Sequence, residues 1–124
     1  MIRKRSNLGT RQFRRSTIKG RKNFQKLFST GTFYAGPVFA LRICPSGTDT
    51  PAQFAVCVSR QLGNAVTRNR LKRITRETAD PFSDKIARGV YIAIFPRRRL
   101  LDLDSAERRQ AYQLILRRSG VLRE

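Results

Sequence analysis

Apolar residues along the chain fall into short groups separated by polar or turn-forming stretches. Phe24, Leu27 and Phe28 recur at helical spacing between Arg21 and Thr30, and Gly31 follows as a terminator, which predicts a short helix. Phe33 to Cys44 is largely aromatic and aliphatic, with Gly36 and Pro37 near its start. That composition predicts a strand whose early part is irregular or lies at a sheet edge. Pro45 to Pro51 is dense in turn formers and should be an exposed loop. Phe54 to Ser59 alternates: Phe54, Val56 and Val58 face one way, and the smaller Ala55, Cys57 and Ser59 face the other. One face of this strand can bury a core, while the other leaves room for something to approach.

A turn through Arg60 to Gly63 leads into a predicted helix from about Ala65 to Ala79, which Pro81 ends. Val90 to Phe95 is a compact apolar run bounded by Gly89 and Pro96, as expected of a central strand. Asp104 and Glu107 have the spacing of a capping box, with Asp in place of the usual Ser or Thr. They open a final helix on which Ala111, Leu114 and Ile115 share one face. The order helix, strand, strand, helix, strand, helix predicts an α+β fold, a two-layer α/β sandwich with one small mixed sheet. Residues 1–19 are polar and basic with little periodicity, and read as a disordered arm able to reach an anionic partner. Residues 20–124 read as a single domain, without internal repeats.

Charge sharpens this picture more than any other total. Twenty-seven Lys and Arg stand against eight Asp and Glu, a net charge of +19. Such self-repulsion weakens a compact monomer unless a polyanion neutralises it. Nucleic acid is the leading partner, because contacts to phosphates release counterions and drive binding. An anionic membrane surface is the alternative, but no segment approaches the ~20 apolar residues of a span. Arg supplies 21 of the basic residues and Lys six. Arg presents a planar fork to phosphates and base edges, although genomic codon bias enriches it too.

The predicted second helix concentrates that charge. Projected at about 100° per residue, Thr67, Leu71, Ile74, Thr75 and Thr78 form a modest core face. Arg68, Asn69, Lys72, Arg73 and Arg76 fall together on the outer side, and Arg70 lies on the opposite flank. Like charges crowded on one short helix repel each other unless an anion lies across them; a plain solvated face is the competing reading. Asn69 can donate and accept hydrogen bonds, which suits 2′-hydroxyls and base edges. Glu77 stands one turn after Arg73 and can pair with it.

The run Val58-Ser59-Arg60-Gln61-Leu62-Gly63-Asn64-Ala65-Val66-Thr67-Arg68-Asn69-Arg70-Leu71-Lys72-Arg73-Ile74-Thr75-Arg76-Glu77 resembles the ribonuclease P protein family, of which an Arg-Asn-Arg core after Gly-Asn-Ala-Val is typical. Asn23-Phe24-Gln25-Lys26-Leu27-Phe28 followed by Gly31 is similar to the family's first helix, and the hydrophobic strand before Pro96-Arg97-Arg98 and the closing helix also fit. The resemblance spans about residues 17 to 120. It implies a left-handed crossover from strand to basic helix to strand, against the usual right-handed rule, in a fold shared with a small-subunit ribosomal protein domain. It further implies that Arg68, Asn69, Arg70, Lys72, Arg73 and Arg76 contact a catalytic RNA subunit. A cleft between the first helix and the open face of the sheet would hold the single-stranded 5′ leader of precursor tRNA. Phe24 and Phe28 match the family's cleft aromatics, Ala55, Cys57 and Ser59 would floor the cleft, and Arg60 would extend its edge. Stacking rings beside a basic groove suit sequence-tolerant single-strand binding; ordinary core packing is the competing reading of the two phenylalanines. Arg42 departs from the pattern, standing where some relatives carry a cleft aromatic, and a guanidinium can also stack on a base.

No protein nuclease site can be assembled. The chain has no His, and its carboxylates are scattered among loops and helix ends. A two-metal phosphodiesterase needs carboxylates converging on ions ~3.5–4 Å apart. The resemblance instead assigns hydrolysis to RNA with bound Mg²⁺, and to this chain substrate affinity, metal-ion affinity and neutralised repulsion between two RNAs. The partners it implies are the ribonuclease P RNA and precursor tRNA. Without it, a structural RNA-binding protein such as a ribosomal protein fits the composition equally. A double-stranded DNA regulator would need a recognition helix and usually a dimer, and no dimerisation stripe is apparent. Cys44 and Cys57 do not suggest a disulfide framework. With no apolar secretion signal at the N-terminus, a cytoplasmic protein with reduced thiols is expected.

Overall fold

The computed structural model describes residues 17–123. Among the described residues three α-helices, α1 (Arg21–Thr30), α2 (Ala65–Ala79) and α3 (Ser105–Ser119), accompany four strands. The strands are β1 (Thr32–Ala35), β2 (Phe39–Pro45), β3 (Gln53–Val56) and β4 (Val90–Pro96). Their spatial order is β1-β2-β4-β3. β2 pairs antiparallel with β1 and β4, whereas β3 runs parallel to β4. The fold is α+β with one small mixed sheet, as expected, and β3, α2 and β4 form the crossover unit.

The stretch Phe33 to Cys44 is a hairpin rather than one strand with an irregular start. Gly36 and Pro37 sit in its connection, and Phe33 pairs across to Arg42. A side chain on Gly36 would meet the Phe39 carbonyl at 2.8 Å and Ile115 at 3.1 Å, so the chain turns here against α3 only because Gly lacks one. Two arginines hold the turn: Arg97 Nε donates to the Gly36 carbonyl at 2.6 Å, and Arg118 Nη1 to that of Ala35 at 2.8 Å.

Strand alternation sends Phe39, Leu41, Phe54, Ile92 and Ile94 to one face. There they meet Leu71 and Ile74 of α2 and Tyr112, Ile115 and Leu116 of α3 in the main core. Tyr112 packs edge-to-face against Phe39 and Phe82, with ring centres 5.4 and 5.5 Å apart. Its hydroxyl is buried without a hydrogen-bond partner, and burial pushes its pKa well above the ordinary value. The buried face of α3 differs from the expected one. Tyr112, Ile115 and Leu116 carry it, Ala111 is half-buried, and Leu114 is 62% exposed. The expected capping box does open α3: Asp104 Oδ1 accepts from the Glu107 amide at 2.8 Å, and Glu107 Oε1 from the Asp104 amide at 3.0 Å.

A second, smaller cluster occupies the other face. Leu27 of α1 packs there with Cys44, Ala55, Tyr91 and Ala93, and Ile18 completes it. The arm expected over residues 1–19 lies outside the described residues up to 16, and its last part belongs to the folded domain. Thr17 forms a parallel bridge to Phe54, the Ile18 amide donates to the Phe54 carbonyl at 2.8 Å, and Ile18 is buried. Covering an aliphatic side chain against Leu27 and Ala55 outweighs the polar character of its neighbours.

Candidate nucleic-acid interface

The basic helix begins where backbone geometry demands it. Gly63 has φ 143°, outside the range an L side chain adopts readily, and an added Cβ would stand 3.0 Å from Thr67. Asn64 then caps the helix, its Oδ1 accepting from the Thr67 amide at 2.9 Å. Leu71, Ile74, Thr75 and Thr78 are buried as expected and Ala79 joins them, whereas Thr67, expected on the same face, is only half-buried. Asn69, Arg70 and Arg73 are exposed, while Lys72 and Arg76 are half-buried flanks. Arg73 and Glu77 stand 3.9 Å apart in open solvent, a pairing that contributes little. Arg68 corrects the face assignment. It is half-buried at the edge of the core face with its Nε enclosed and unbonded, rather than projecting from the middle of the outer face.

α1 packs on the second face of the sheet and carries one end of an aromatic row whose other end borders an open hollow, and row and hollow together form the cleft of this face. Phe24 and Phe28, one turn apart, present nearly parallel rings with centres 6.4 Å apart. Phe24 is half-buried against the smaller cluster, and Phe28 is 46% exposed. Phe28 meets Phe95 edge-on at 6.1 Å, and Phe95 meets Phe33 at 6.3 Å. The four rings form a connected row across α1, β4 and β1. Beside it opens a hollow of about 300 Å³ lined by Phe33, Ala40, Cys57, Ser59, Phe95 and Arg97.

Of the expected floor, Cys57 and Ser59 border this hollow. Ala55 does not: it is buried beneath α1 with Ile18 and Leu27. Arg60 is exposed in a 3₁₀ turn, Arg60–Leu62, that follows β3. Burial raises the Cys57 thiol pKa, which keeps it protonated and a poor nucleophile. Arg42 does reach the aromatic row, its guanidinium carbon lying 5.8 Å from the Phe28 ring centre and 5.2 Å from that of Phe33.

Phe33 and Phe95 are the site residues that sequence reasoning missed. Their signal was present in β4, where Tyr91, Ala93 and Phe95 alternate with Val90, Ile92 and Ile94. Placing Ala93 beside Ala55, as the parallel pairing does, leaves Phe95 next to Cys57 at the open end. No group of three or more His, Cys, Asp or Glu side chains converges among the described residues. The arrangement therefore offers π-faces, a shallow apolar floor and positive charge, which suit an unpaired nucleic-acid strand.

The Ribonuclease P family model matches residues 13–120. The chain belongs to the ribonuclease P protein family. Among its relatives, the ribonuclease P protein component of Symbiobacterium thermophilum is 30% identical over 105 residues, covering 85% of this chain and 91% of that protein. A Bacillus cereus ribonuclease P protein component is 29% identical over 106 residues, covering 86% and 92%. Among solved structures, the Staphylococcus aureus ribonuclease P protein superposes with a TM-score of 0.74 at 25% identity, covering 86% of this chain and 97% of that one. The Thermotoga maritima ribonuclease P protein gives 0.71 at 26% identity, covering 82% and 96%. Family membership makes the chain a protein component of an endoribonuclease of tRNA processing. It leaves the reading as a ribosomal protein without support.

Proposed function

We propose that the outer face of α2 binds the catalytic RNA of ribonuclease P and that the aromatic cleft holds the 5′ leader of precursor tRNA. Asn69, Arg70 and Arg73 approach RNA most openly, with Arg68, Lys72 and Arg76 on the flank nearer the core. Phe24, Phe28, Phe33 and Phe95 supply stacking surfaces, Cys57 and Ser59 line the hollow, and Arg42 and Arg60 add charge. The observation that carries this reading is the row of half-exposed rings beside a shallow hollow, on a chain whose family is ribonuclease P.

Hydrolysis then belongs to the RNA. Mg²⁺ held by the RNA would supply the charge stabilisation such a cleavage needs, and among the described residues no three His, Cys, Asp or Glu side chains converge. The chain's own part is to neutralise phosphate repulsion between two RNAs and to retain the leader. A cytoplasmic location follows from the substrate. No helix among the described residues is long and apolar enough to cross a membrane.

Reconstitution with a ribonuclease P RNA and a precursor tRNA tests the reading. Cleavage at the mature 5′ end should be stimulated by the protein at moderate salt. The precursor should bind the assembled complex more tightly than mature tRNA does. Stimulation without any preference for the precursor would remove the leader from the cleft.

A further inference from the structure

Arg42 stands on β2 directly across from Phe33 of β1, with Ala93 of β4 on its other side. Its guanidinium lies against two rings that are themselves about half exposed, Phe28 at 46% and Phe33 at 49%. Gly31 makes room for the stem: an added Cβ there would come within 2.7 Å of Arg42 Cγ. Nη1 donates to the Gly31 carbonyl at 3.3 Å, and Nε is enclosed with no hydrogen-bond partner. The ion pairs Arg73–Glu77 and Arg88–Asp49 engage other arginines, and no described carboxylate is bonded to Arg42.

A half-buried cation without a counterion is incomplete. Neighbouring rings attract it through their π-faces but leave its outer N–H donors unused. In a groove that excludes part of the solvent, an anion on those donors is held more strongly than in water. With Nε enclosed and one Nη1 hydrogen given to the Gly31 carbonyl, the remaining Nη hydrogens are the donors left for a ligand. Such donors fit the paired oxygens of a phosphate.

The geometry points to Arg42 as a phosphate anchor in the cleft, binding one backbone phosphate of the leader while flanking bases stack on Phe28 and Phe33. The inference rests on the leader-binding reading and deepens it: at this position the cleft recognises charge and spacing rather than base identity. A strand so held has one fixed linkage, and its bases fall into register on the neighbouring rings. A guanidinium edge can also read the O6 and N7 acceptors of guanine, and the experiment separates that outcome.

The test uses the reconstituted complex with precursor tRNAs carrying a single neutral methylphosphonate at each leader linkage in turn. For the wild type, one linkage should weaken precursor binding by roughly tenfold, the size of a lost charge-assisted hydrogen bond. Arg42→Met keeps the stem packed on the rings and removes the donors. It should bind the unmodified precursor about as weakly, and the modification at that linkage should have no further effect. Arg42→Lys should recover part of the loss. Mature tRNA should bind all three proteins alike, and their melting temperatures report any loss of fold.

A methylphosphonate profile that is the same for wild type and Arg42→Met overturns the phosphate anchor. So does a loss that follows replacement of a leader guanine by 7-deazaguanine instead of neutralisation of a linkage. Equal binding of precursor and mature tRNA by the wild type overturns the leader cleft itself, whereas leader-dependent binding without an Arg42-linked phosphate overturns only the anchor.

Discussion

The two faces of the sheet carry the same alternation of side chains to opposite ends. Beneath α2 and α3, Phe39, Leu41, Ile92 and Ile94 are buried and closed over by Leu71, Tyr112 and Leu116. Beneath α1, alanines and cysteines take the central positions, and aromatic rings are displaced to the rim, where Phe28 and Phe33 stay about half exposed. Large residues in the middle of a face make a core. Small ones in the middle with rings around them leave a hollow. The choice between Ile and Ala at alternate positions of β4 therefore separates stability from recognition within one strand.

Substitutions on the closed face should act on folding first. Leu71 is fully buried, so Leu71→Ala should cost about 2–5 kcal/mol through lost transfer energy and a residual cavity. Denaturant unfolding measures this, and both RNAs should lose affinity only in proportion to the unfolded fraction. On the open face, Phe24→Ala should weaken precursor binding by about 1–3 kcal/mol, the range for a base–aromatic stack, while mature tRNA is held nearly as before. Equal losses for both tRNAs, with a large fall in melting temperature, would make the second face a core like the first.

The basic helix extends the comparison to a surface with no packing role. Arg70 and Arg73 are exposed, so replacing both with Ala should leave stability within about 0.5 kcal/mol. If each neutralises one phosphate, the slope of log K against log salt should become shallower by about 1.4–1.8. Titrations at several salt concentrations check this, and an unchanged slope would move the RNA contact elsewhere.

The smallest effect concerns the closed face again. Tyr112 buries a hydroxyl that has no protein partner, so Tyr112→Phe should be neutral or stabilising by up to about 1 kcal/mol. The sign with pH is definite. Burial raises the folded-state pKa, the unfolded chain ionises near the ordinary value of about 10, and stability is lost as pH rises past it. Tyr112→Phe removes that contribution, so melting curves of the two proteins should diverge above about pH 10.

Much of this division was legible beforehand because period-2 alternation is a local property. Phe54 and Val56 against Ala55 and Cys57 already marked a filled face and an empty one. What escaped depends on neighbours distant in sequence. Gly36-Pro37 within an apolar run reads as an uneven strand until α3 is known to close against it. Ile18 carries no periodicity of its own and becomes core only because β3 and α1 meet over it. Phe95 ends a run that looks wholly internal, and Ala55, assigned to the open floor, turns out to lie under the helix. Arg68 stands two turns before Thr75, only about 20° from it at 100° per residue, so the projection already sets it beside the α2 core face, and grouping it with the other arginines by charge moved it to the front.

Leu27 is the only fully buried residue of α1, and Ala55 and Ala93 beneath it offer little for a helix to grip. By contrast, β2 and β4 are pinned by long ladders and by the whole aliphatic core. Local stability is set by such differences in covered surface, and poorly anchored elements open without the rest. α1 is therefore expected to open more readily than the strands beneath it. Its release would uncover Leu27, Ile18 and the rings of Phe24 and Phe28 and would strain the Arg42–Gly31 hydrogen bond at its end. A ligand that packs on α1 and the sheet together would hold α1 closed, so binding in the cleft and the order of α1 are expected to be thermodynamically linked.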